Sequence, residues 1–124
     1  MPAQVVVVYS EPGFRDALVA ALRLRGHEVA AFVDPMDAWD AFDAPQRIEV
    51  LVTDVQFLPG KSNGIALARM IRMRRPDTRI LFTALPEFAR QALGLGEFMQ
   101  MPVGVSEVVD TVVRMLEREA QDPK

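Results

Sequence analysis

Short apolar runs alternate along this chain with longer stretches in which apolar residues recur every three or four positions. Residues 5–8 are consecutive valines, which is typical of a strand buried on both faces. Residues 14–25 instead carry one apolar stripe, which is typical of a helix packed on a core. Runs of the first kind predict strands at 4–9, 28–33, 48–53, 79–83 and 97–101. Stretches of the second kind predict helices at 12–25, 35–44, 65–74, 86–93 and 105–119.

Proline, aspartate and glycine mark where several of these helices begin and end. Pro12 and Pro35 suit a first helical turn, where the missing N–H group costs no helical hydrogen bond. Asp34 is placed to cap the second helix, and Gly26 to end the first. Strands that alternate in this way with helices predict a parallel sheet that is covered by helices on both faces.

The composition is that of an ordinary globular domain and excludes several kinds of function. We expect residues 1–124 to form one domain, with a polar tail at 120–124 and no output domain. The formal net charge of −3 gives no global field that favours nucleic acid. The chain has no cysteine, which excludes disulfides and thiolate metal sites. No apolar stretch approaches the ~20 residues of a membrane span, and the start lacks a signal-peptide pattern, so we expect a cytoplasmic protein without membrane contact.

Asp54 is the first candidate for chemistry. It follows the apolar run at 48–53, so it is expected at the carboxyl end of a buried strand. Parallel α/β sheets place their functional groups in the crevice above these strand ends. No nucleophile–base pair and no histidine cluster accompanies it. We therefore expect a protein that is not an enzyme.

Four stretches in order resemble the receiver domain of bacterial two-component response regulators, over essentially the whole chain. They are Tyr-Ser-Glu-Pro-Gly-Phe-Arg at 9–15, Leu-Val-Thr-Asp at 51–54 with Pro-Gly at 59–60 and Asn-Gly at 63–64, Phe-Thr-Ala at 82–84, and Gly-Leu-Gly-Glu-Phe-Met-Gln-Met-Pro at 94–102. The resemblance implies a three-layer, flavodoxin-like (CheY-like) doubly wound fold. Its five parallel strands would lie in the order 2-1-3-4-5.

The same resemblance implies roles for individual residues. Asp54 occupies the position of the phosphoacceptor, while Thr83 and Phe98 occupy the two switch positions. Met101 and Pro102 occupy the place of a Lys-Pro pair whose peptide bond is usually cis in the family. We therefore expect a cis peptide bond before Pro102.

Three substitutions depart from the receiver pattern. Receivers hold Mg²⁺ with two acids after the first strand and pair the phosphoryl group with a lysine after the fifth. Here Tyr9 and Ser10 stand at the acid positions and Met101 at the lysine position. Mg²⁺ requires oxygen ligands, chiefly carboxylates and water, and a thioether cannot replace a lysine ammonium. We therefore expect no firmly bound cofactor and only weak Mg²⁺ binding, by Asp54 and at most Glu11 in addition.

Tyr9 has two alternative placements. Its ring could fill the pocket of the missing metal with the hydroxyl directed at Asp54, or it could point outward from the end of the strand. The residue pattern does not choose between them.

The last helix carries more apolar residues than one buried face requires. The stripe expected to face the sheet is Val105, Val109, Val112 and Leu116. Val108 and Met115 lie beside it, and an over-wide apolar face usually packs on a partner. The prediction is a weak homodimer or a docking site formed by this helix and a shortened fourth helix.

These observations favour a stand-alone receiver domain in a two-component phosphorelay. Its Mg²⁺ and phosphoryl site would be degraded, and it would act through contact with a sensor histidine kinase or another signalling protein. One alternative is a working receiver that is phosphorylated on Asp54. The other is a small flavodoxin-like protein that binds a nucleotide or flavin. The segment after the first strand disfavours the last alternative, because residues 11–14 contain one glycine and no Lys-Ser or Lys-Thr pair.

Overall fold

Strands and helices alternate from the first described residue to the last. The computed structural model describes residues 4–43, 47–57 and 63–121. The strands are β1 (Gln4–Val8), β2 (Glu28–Phe32), β3 (Val50–Asp54), β4 (Arg79–Ala84) and β5 (Glu97–Gln100). The helices are α1 (Pro12–Leu24), α2 (Pro35–Ala41), α3 (Gly64–Arg74), α4 (Ala89–Ala92) and α5 (Val105–Gln121), with a 3₁₀ turn at Pro86–Phe88 before α4. The Pro-Gly pair at 59–60 and residues 122–124 of the predicted polar tail lie outside the described residues.

The five strands form one parallel sheet in the order β2-β1-β3-β4-β5. The predicted fold class and strand order are therefore confirmed. Alternate residues of each central strand face opposite layers, because successive side chains of a strand point to opposite faces. Val6, Leu51 and Phe82 face the layer of α2, α3 and α4, whereas Val7 and Val52 face the layer of α1 and α5.

The starts of α1 and α2 have the predicted prolines, and α2 also has the predicted aspartate cap. Pro12 and Pro35 are each in a first helical turn. The Asp34 carboxylate accepts hydrogen bonds from the backbone N–H groups of Met36 at 3.0 Å and Asp37 at 3.1 Å. In α3 the cap is Asn63, whose Oδ1 accepts from the backbone N–H of Ala66 at 2.8 Å. These side chains supply acceptors for N–H groups that have no partner inside the helix.

The side chains of Val108 and Met115 do not form the exposed flank from which an interface was predicted. Val108 is 0% exposed and Met115 is 1% exposed, and both pack in the core between α1, α5 and the sheet. Leu116, which was expected in the buried stripe, is only partly buried at the margin of this core. The helix is rotated from the predicted orientation because α5 packs on Leu18 and Leu22 of α1 as well as on the sheet. A face covered by two neighbours is wider than a face covered by one.

Arg72, near the end of α3, joins three loop carbonyl groups. Its Nη1 donates to the carbonyl oxygen of Pro76 at 2.8 Å and to that of Thr78 at 3.3 Å. Its Nη2 donates to the carbonyl oxygen of Leu95 at 2.5 Å. Two of these carbonyls precede β4 and the third precedes β5. The planar guanidinium therefore ties the end of α3 to the starts of two strands.

In the parts of the chain that the structure describes, none of the helices has both the length and the apolar composition for crossing a membrane.

Candidate functional site

Three strands bring the candidate residues together at the carboxyl edge of the sheet. Asp54 is the last residue of β3 and is in register with Thr83 of β4. Val8, the last residue of β1, is in register with Thr53 of β3, so Tyr9 follows β1 beside the end of β3. Tyr9, Asp54 and Thr83 are thus assembled from three neighbouring strands, as expected for a functional site of a parallel sheet.

Asp54 is half-buried, and one of its carboxylate oxygens is held by the backbone. Its Oδ1 accepts a hydrogen bond from the N–H of Val55 at 2.7 Å. Burial raises the pKa of the Asp54 carboxyl above its ordinary value, while the backbone N–H groups of Val55 and Gln56 act in the opposite direction. The Asp54 side chain is therefore a carboxylate whose ionised form is partly deprived of water.

Tyr9 fills the space between the end of β1 and the end of β4. Its side chain is 3% exposed, and its ring centroid lies 5.0 Å from that of Phe14 with the planes tilted by 54°. The Tyr9 hydroxyl lies 2.8 Å from Oγ1 of Thr83. The ring therefore points inward, but the hydrogen-bond partner of its hydroxyl is Thr83. The placement that directs the hydroxyl at Asp54 is corrected in this respect, because the buried threonine hydroxyl takes up the hydrogen bond.

The charge state of Tyr9 follows from its surroundings. Burial raises the pKa of the Tyr9 phenol well above its ordinary value; the Thr83 hydrogen bond acts against this rise, and the nearby Asp54 charge adds to it. Tyr9 is therefore a neutral phenol at neutral pH. A neutral phenol beside Asp54 can accept or donate a hydrogen bond, but it brings none of the negative charge that a carboxylate would bring.

The backbone of Tyr9 is held from two sides. Its N–H donates to the carbonyl oxygen of Phe32 at 3.1 Å, which extends the pairing of β1 with β2. Its carbonyl oxygen accepts from Nη1 of Arg15 at 3.1 Å. The ring and the backbone of Tyr9 are both fixed by these contacts.

Ser10 and Glu11 face away from the buried part of the site. Both are exposed, and the two carboxylate oxygens of Glu11 accept hydrogen bonds from the N–H groups of Gly13 at 2.9 Å and Phe14 at 2.6 Å. These bonds lower the pKa of the Glu11 carboxyl, that with Phe14 contributing most. Glu11 is thus the N-cap of α1. In this position its oxygens are occupied by the helix and are not offered to a cation beside Asp54.

Phe98, Met101 and Pro102 lie on the far side of Thr83. Phe98 is in register with Phe82 and packs, partly buried, against the α2–α4 layer. Met101 is half-buried, and its N–H donates to the carbonyl oxygen of Ala84 at 2.8 Å. The peptide bond between Met101 and Pro102 is cis, as the resemblance implied.

The residues at this edge do not fit a magnesium ion. Within residues 4–43, 47–57 and 63–121, no three or more histidine, aspartate or glutamate side chains are grouped so that they could hold a metal. Around Asp54 the neighbours are a phenol and a threonine hydroxyl that bond to each other. An octahedral Mg²⁺ site draws on carboxylate and water oxygens, and Asp54 is the only carboxylate among these three residues.

Many solved structures that match this architecture are receiver domains. The signal receiver domain of an HD domain-containing protein from Pseudomonas fluorescens Pf-5 has a TM-score of 0.83 at 13% identity, over 98% of this chain and 100% of that one. The chemotaxis response regulator CheY4 of Vibrio cholerae has a TM-score of 0.80 at 22% identity, over 93% of this chain and 99% of that one. This chain has the receiver-domain fold.

A further receiver structure contains a metal ion and a beryllium fluoride. The Thermotoga maritima response regulator TrrA, in complex with Mg²⁺ and beryllium fluoride, has a TM-score of 0.78 at 20% identity, over 91% of this chain and 98% of that one. No protein-family model and no curated protein sequence matches this chain. Structural similarity at identities this low establishes the fold alone. The chemistry of the site therefore has to be argued from its own residues.

Two features of this receiver edge were not found from the sequence. The first is the hydrogen bond between Tyr9 and Thr83, which joins residues from different strands and has no local signal. The second is the close approach of α3 to β3, where the N–H of Gly64 donates to the carbonyl oxygen of Val55 at 2.9 Å. The Asn63-Gly64 pair carried part of the resemblance, and a glycine at a helix start is the signal that could have indicated this approach.

Proposed function

We propose that this chain is a receiver domain of two-component signalling that acts through protein–protein contact and has lost efficient phosphoryl chemistry at Asp54. The observation that carries the proposal is the buried, neutral phenol of Tyr9 beside Asp54, at the position where the receiver pattern has an acid. The receiver fold supplies the first half of the proposal, and the chemistry of this one residue supplies the second.

The loss of a metal site follows from the properties of Tyr9. Phosphoryl transfer depends on cations that neutralise the charge spread over the transferred group. A neutral phenol is a poor ligand for Mg²⁺, which favours carboxylate and water oxygens. Glu11 is engaged as the cap of α1 and would have to abandon two backbone N–H groups to approach Asp54. The metal that assists receivers therefore has no adequate holder in this proposal.

Met101 removes the second source of positive charge. Its thioether sulfur cannot donate the charge-assisted hydrogen bonds that a lysine ammonium donates to a phosphoryl oxygen. The substitution leaves the backbone N–H of Met101 bonded to Ala84. The backbone pairing at the end of β5 is thus retained, while the positive charge of the lysine in the receiver pattern is not.

The partner that this proposal implies is a sensor histidine kinase or another signalling protein. A receiver with little phosphoryl chemistry retains its folded surface, and recognition of that surface needs no reaction at Asp54. We propose no catalytic role for any residue of the chain.

The test is phosphorylation of Asp54 by acetyl phosphate in the presence of Mg²⁺, followed by mass spectrometry. The parent is compared with the triple variant Tyr9→Asp, Ser10→Asp, Met101→Lys, which restores the receiver pattern on the same fold. We expect no labelling of the parent and clear labelling of the triple variant. Asp54→Asn in both backgrounds shows whether any label is on Asp54.

A specific observation favours the alternative of a working receiver. Asp54 is only half-buried, and its Oδ1 is the oxygen that accepts from Val55. If the parent is labelled on Asp54 as fully as the triple variant, the proposed loss of phosphoryl chemistry is wrong and the alternative holds.

A further inference from the structure

The buried Thr83 side chain depends on Tyr9 for its hydrogen bond. Its side chain is 0% exposed and in register with Asp54. A buried hydroxyl is nearly always hydrogen-bonded, because leaving it without a partner forfeits its interaction with water. The partner of Thr83 is the Tyr9 hydroxyl, at 2.8 Å. The orientation of the Thr83 side chain therefore depends on Tyr9.

Tyr9 is held too firmly to follow a moving threonine. Its ring packs against Phe14, its N–H is bonded to Phe32 and its carbonyl oxygen to Arg15. The phenol stays neutral, so it keeps its proton and its capacity for this hydrogen bond. If Thr83 turned away, two buried hydroxyl groups would lose their partner at once. The conformation in which Tyr9 and Thr83 are hydrogen-bonded is therefore favoured over one in which Thr83 has turned away.

We infer that Tyr9 is a positioning residue that keeps Thr83 in a single orientation and withholds its hydroxyl from Asp54. The inference rests on the proposed function, because it concerns the threonine at the switch position of a receiver. The segment that follows β4, beginning with Ala84 and Leu85, then adopts one conformation whatever the chemical state of Asp54.

A contact next to Thr83 extends this constraint. The carbonyl oxygen of Ala84 accepts from the N–H of Met101, so the end of β4 is joined to the end of β5. Tyr9 on one side and Met101 on the other thus hold two consecutive residues of β4. Leu85, the next residue, is 45% exposed. The surface that begins at Leu85 is consequently presented in one arrangement.

The first experiment needs only the parent protein. Three-bond scalar couplings of Thr83 report its side-chain torsion, and relaxation dispersion of its methyl group reports exchange on the microsecond to millisecond scale. We expect couplings of a single rotamer and a flat dispersion profile. Averaged couplings or exchange at Thr83 in the parent would overturn the inference.

The second experiment removes one oxygen atom. Tyr9→Phe keeps the ring and its contact with Phe14 but leaves Thr83 without its partner. We expect averaged couplings at Thr83, together with new exchange at the Thr83 methyl and the Ala84 and Leu85 amides. Phe14→Leu is the matched control, since it alters the packing of the Tyr9 ring and keeps the hydrogen bond. The same flat profile in Tyr9→Phe as in the parent would contradict the positioning role.

The outcome is separable from that of the proposed function. If acetyl phosphate does label the parent on Asp54, the proposed loss of phosphoryl chemistry fails. Thr83 couplings measured on the labelled protein then decide the inference by themselves. Unchanged couplings support a fixed threonine, and a changed rotamer refutes it.

Discussion

A Cβ atom on Gly64 would lie 2.0 Å from the carbonyl oxygen of Asp54. Helix α3 therefore begins in direct contact with the backbone of the candidate phosphoacceptor. The same residue donates its N–H to the carbonyl oxygen of Val55 at 2.9 Å. Any side chain at Gly64 would push α3 away from the end of β3 and disturb the position of Asp54.

Gly64→Ala is predicted to lower the free energy of unfolding by about 3 kcal/mol or more, because the obstacle is rigid backbone. Gly94→Ala is the matched control. Gly94 has a φ of 81°, and no atom beyond its chain neighbours lies within 4 Å of an added Cβ, so only the backbone strain of about 1–2 kcal/mol applies. Urea unfolding of both variants tests the difference. Equal losses would show that α3 can move away from Asp54 at little cost.

The Tyr9–Thr83 hydrogen bond predicts a strong coupling between the two side chains. Tyr9→Phe and Thr83→Val should each cost about 1–3 kcal/mol, since each leaves one buried hydroxyl unpaired. The double variant should lose clearly less than the sum of the single losses, because no unpaired hydroxyl remains. The free energies of unfolding of the four proteins in this cycle provide the test. Additive losses would mean that the two hydroxyl groups act independently.

Asp54→Asn is predicted to stabilise the folded protein at neutral pH. Burial raises the pKa of the Asp54 carboxyl, so ionisation is less favourable in the folded state than in the unfolded chain. Below about pH 3.9, the ordinary carboxyl pKa, both states are protonated and the advantage vanishes. It should appear as the pH rises above that value and persist at neutral pH. Thermal unfolding at pH 3 and pH 7 tests this, with Asp77→Asn as an exposed loop control.

Glu11→Gln should have the opposite dependence on pH. Hydrogen bonds from Phe14 and Gly13 lower the pKa of the Glu11 carboxyl, so its ionised form stabilises the start of α1. That contribution is present above the ordinary glutamate pKa of about 4.3 and is lost as the pH falls through the lower folded value. The variant should therefore be less stable than the parent at pH 7 and equally stable in strong acid. A loss of the same size at every pH would assign the effect to packing rather than charge.

The burial of Met115 predicts a role in stability rather than in docking. Met115→Ala should cost about 2–5 kcal/mol, because the side chain is 1% exposed in the core between α1, α5 and the sheet. Met73 is 87% exposed, and Met73→Ala should stay within about 0.5 kcal/mol of the parent. Denaturant unfolding of the two variants compares them. Similar stabilities would restore the interpretation of Met115 as a surface residue.

The sheet could be predicted because its strands are short apolar runs that need cover on both faces. The four valines at 5–8 and the run that ends at Asp54 leave few other arrangements, and the turn residues between them fix the helix starts. Glu11 was the exception at a helix start. Its carboxylate was considered as a metal ligand. In the structure it instead accepts hydrogen bonds from the backbone N–H groups of Gly13 and Phe14, which are only two and three residues away in the sequence.

The orientation of α5 could not be predicted, because Val108 and Val109 are both apolar and adjacent. A sequence stripe shows which residues avoid water, but the rotation of the helix also depends on the neighbours that cover it. Here Leu18 and Leu22 of α1 cover the flank that was taken for free surface. The partner of the Tyr9 hydroxyl was equally hidden, since it depends on which strands are neighbours and on their register.

Arg72 joins the starts of two strands at the amino edge of the sheet, opposite the edge that carries Asp54. One guanidinium holds the carbonyl groups of Pro76, Thr78 and Leu95. The segments before β4 and β5 are therefore bonded to the same side chain. A lysine could not reproduce this, since its ammonium lacks the planar fork that reaches several carbonyls at once. The starts of β4 and β5 are therefore joined through one side chain of α3, while the pairing of β4 with β3 and β5 continues to Thr83 and Ala84. Replacing Arg72 would remove three hydrogen bonds that join the end of α3 to the segments before these two strands.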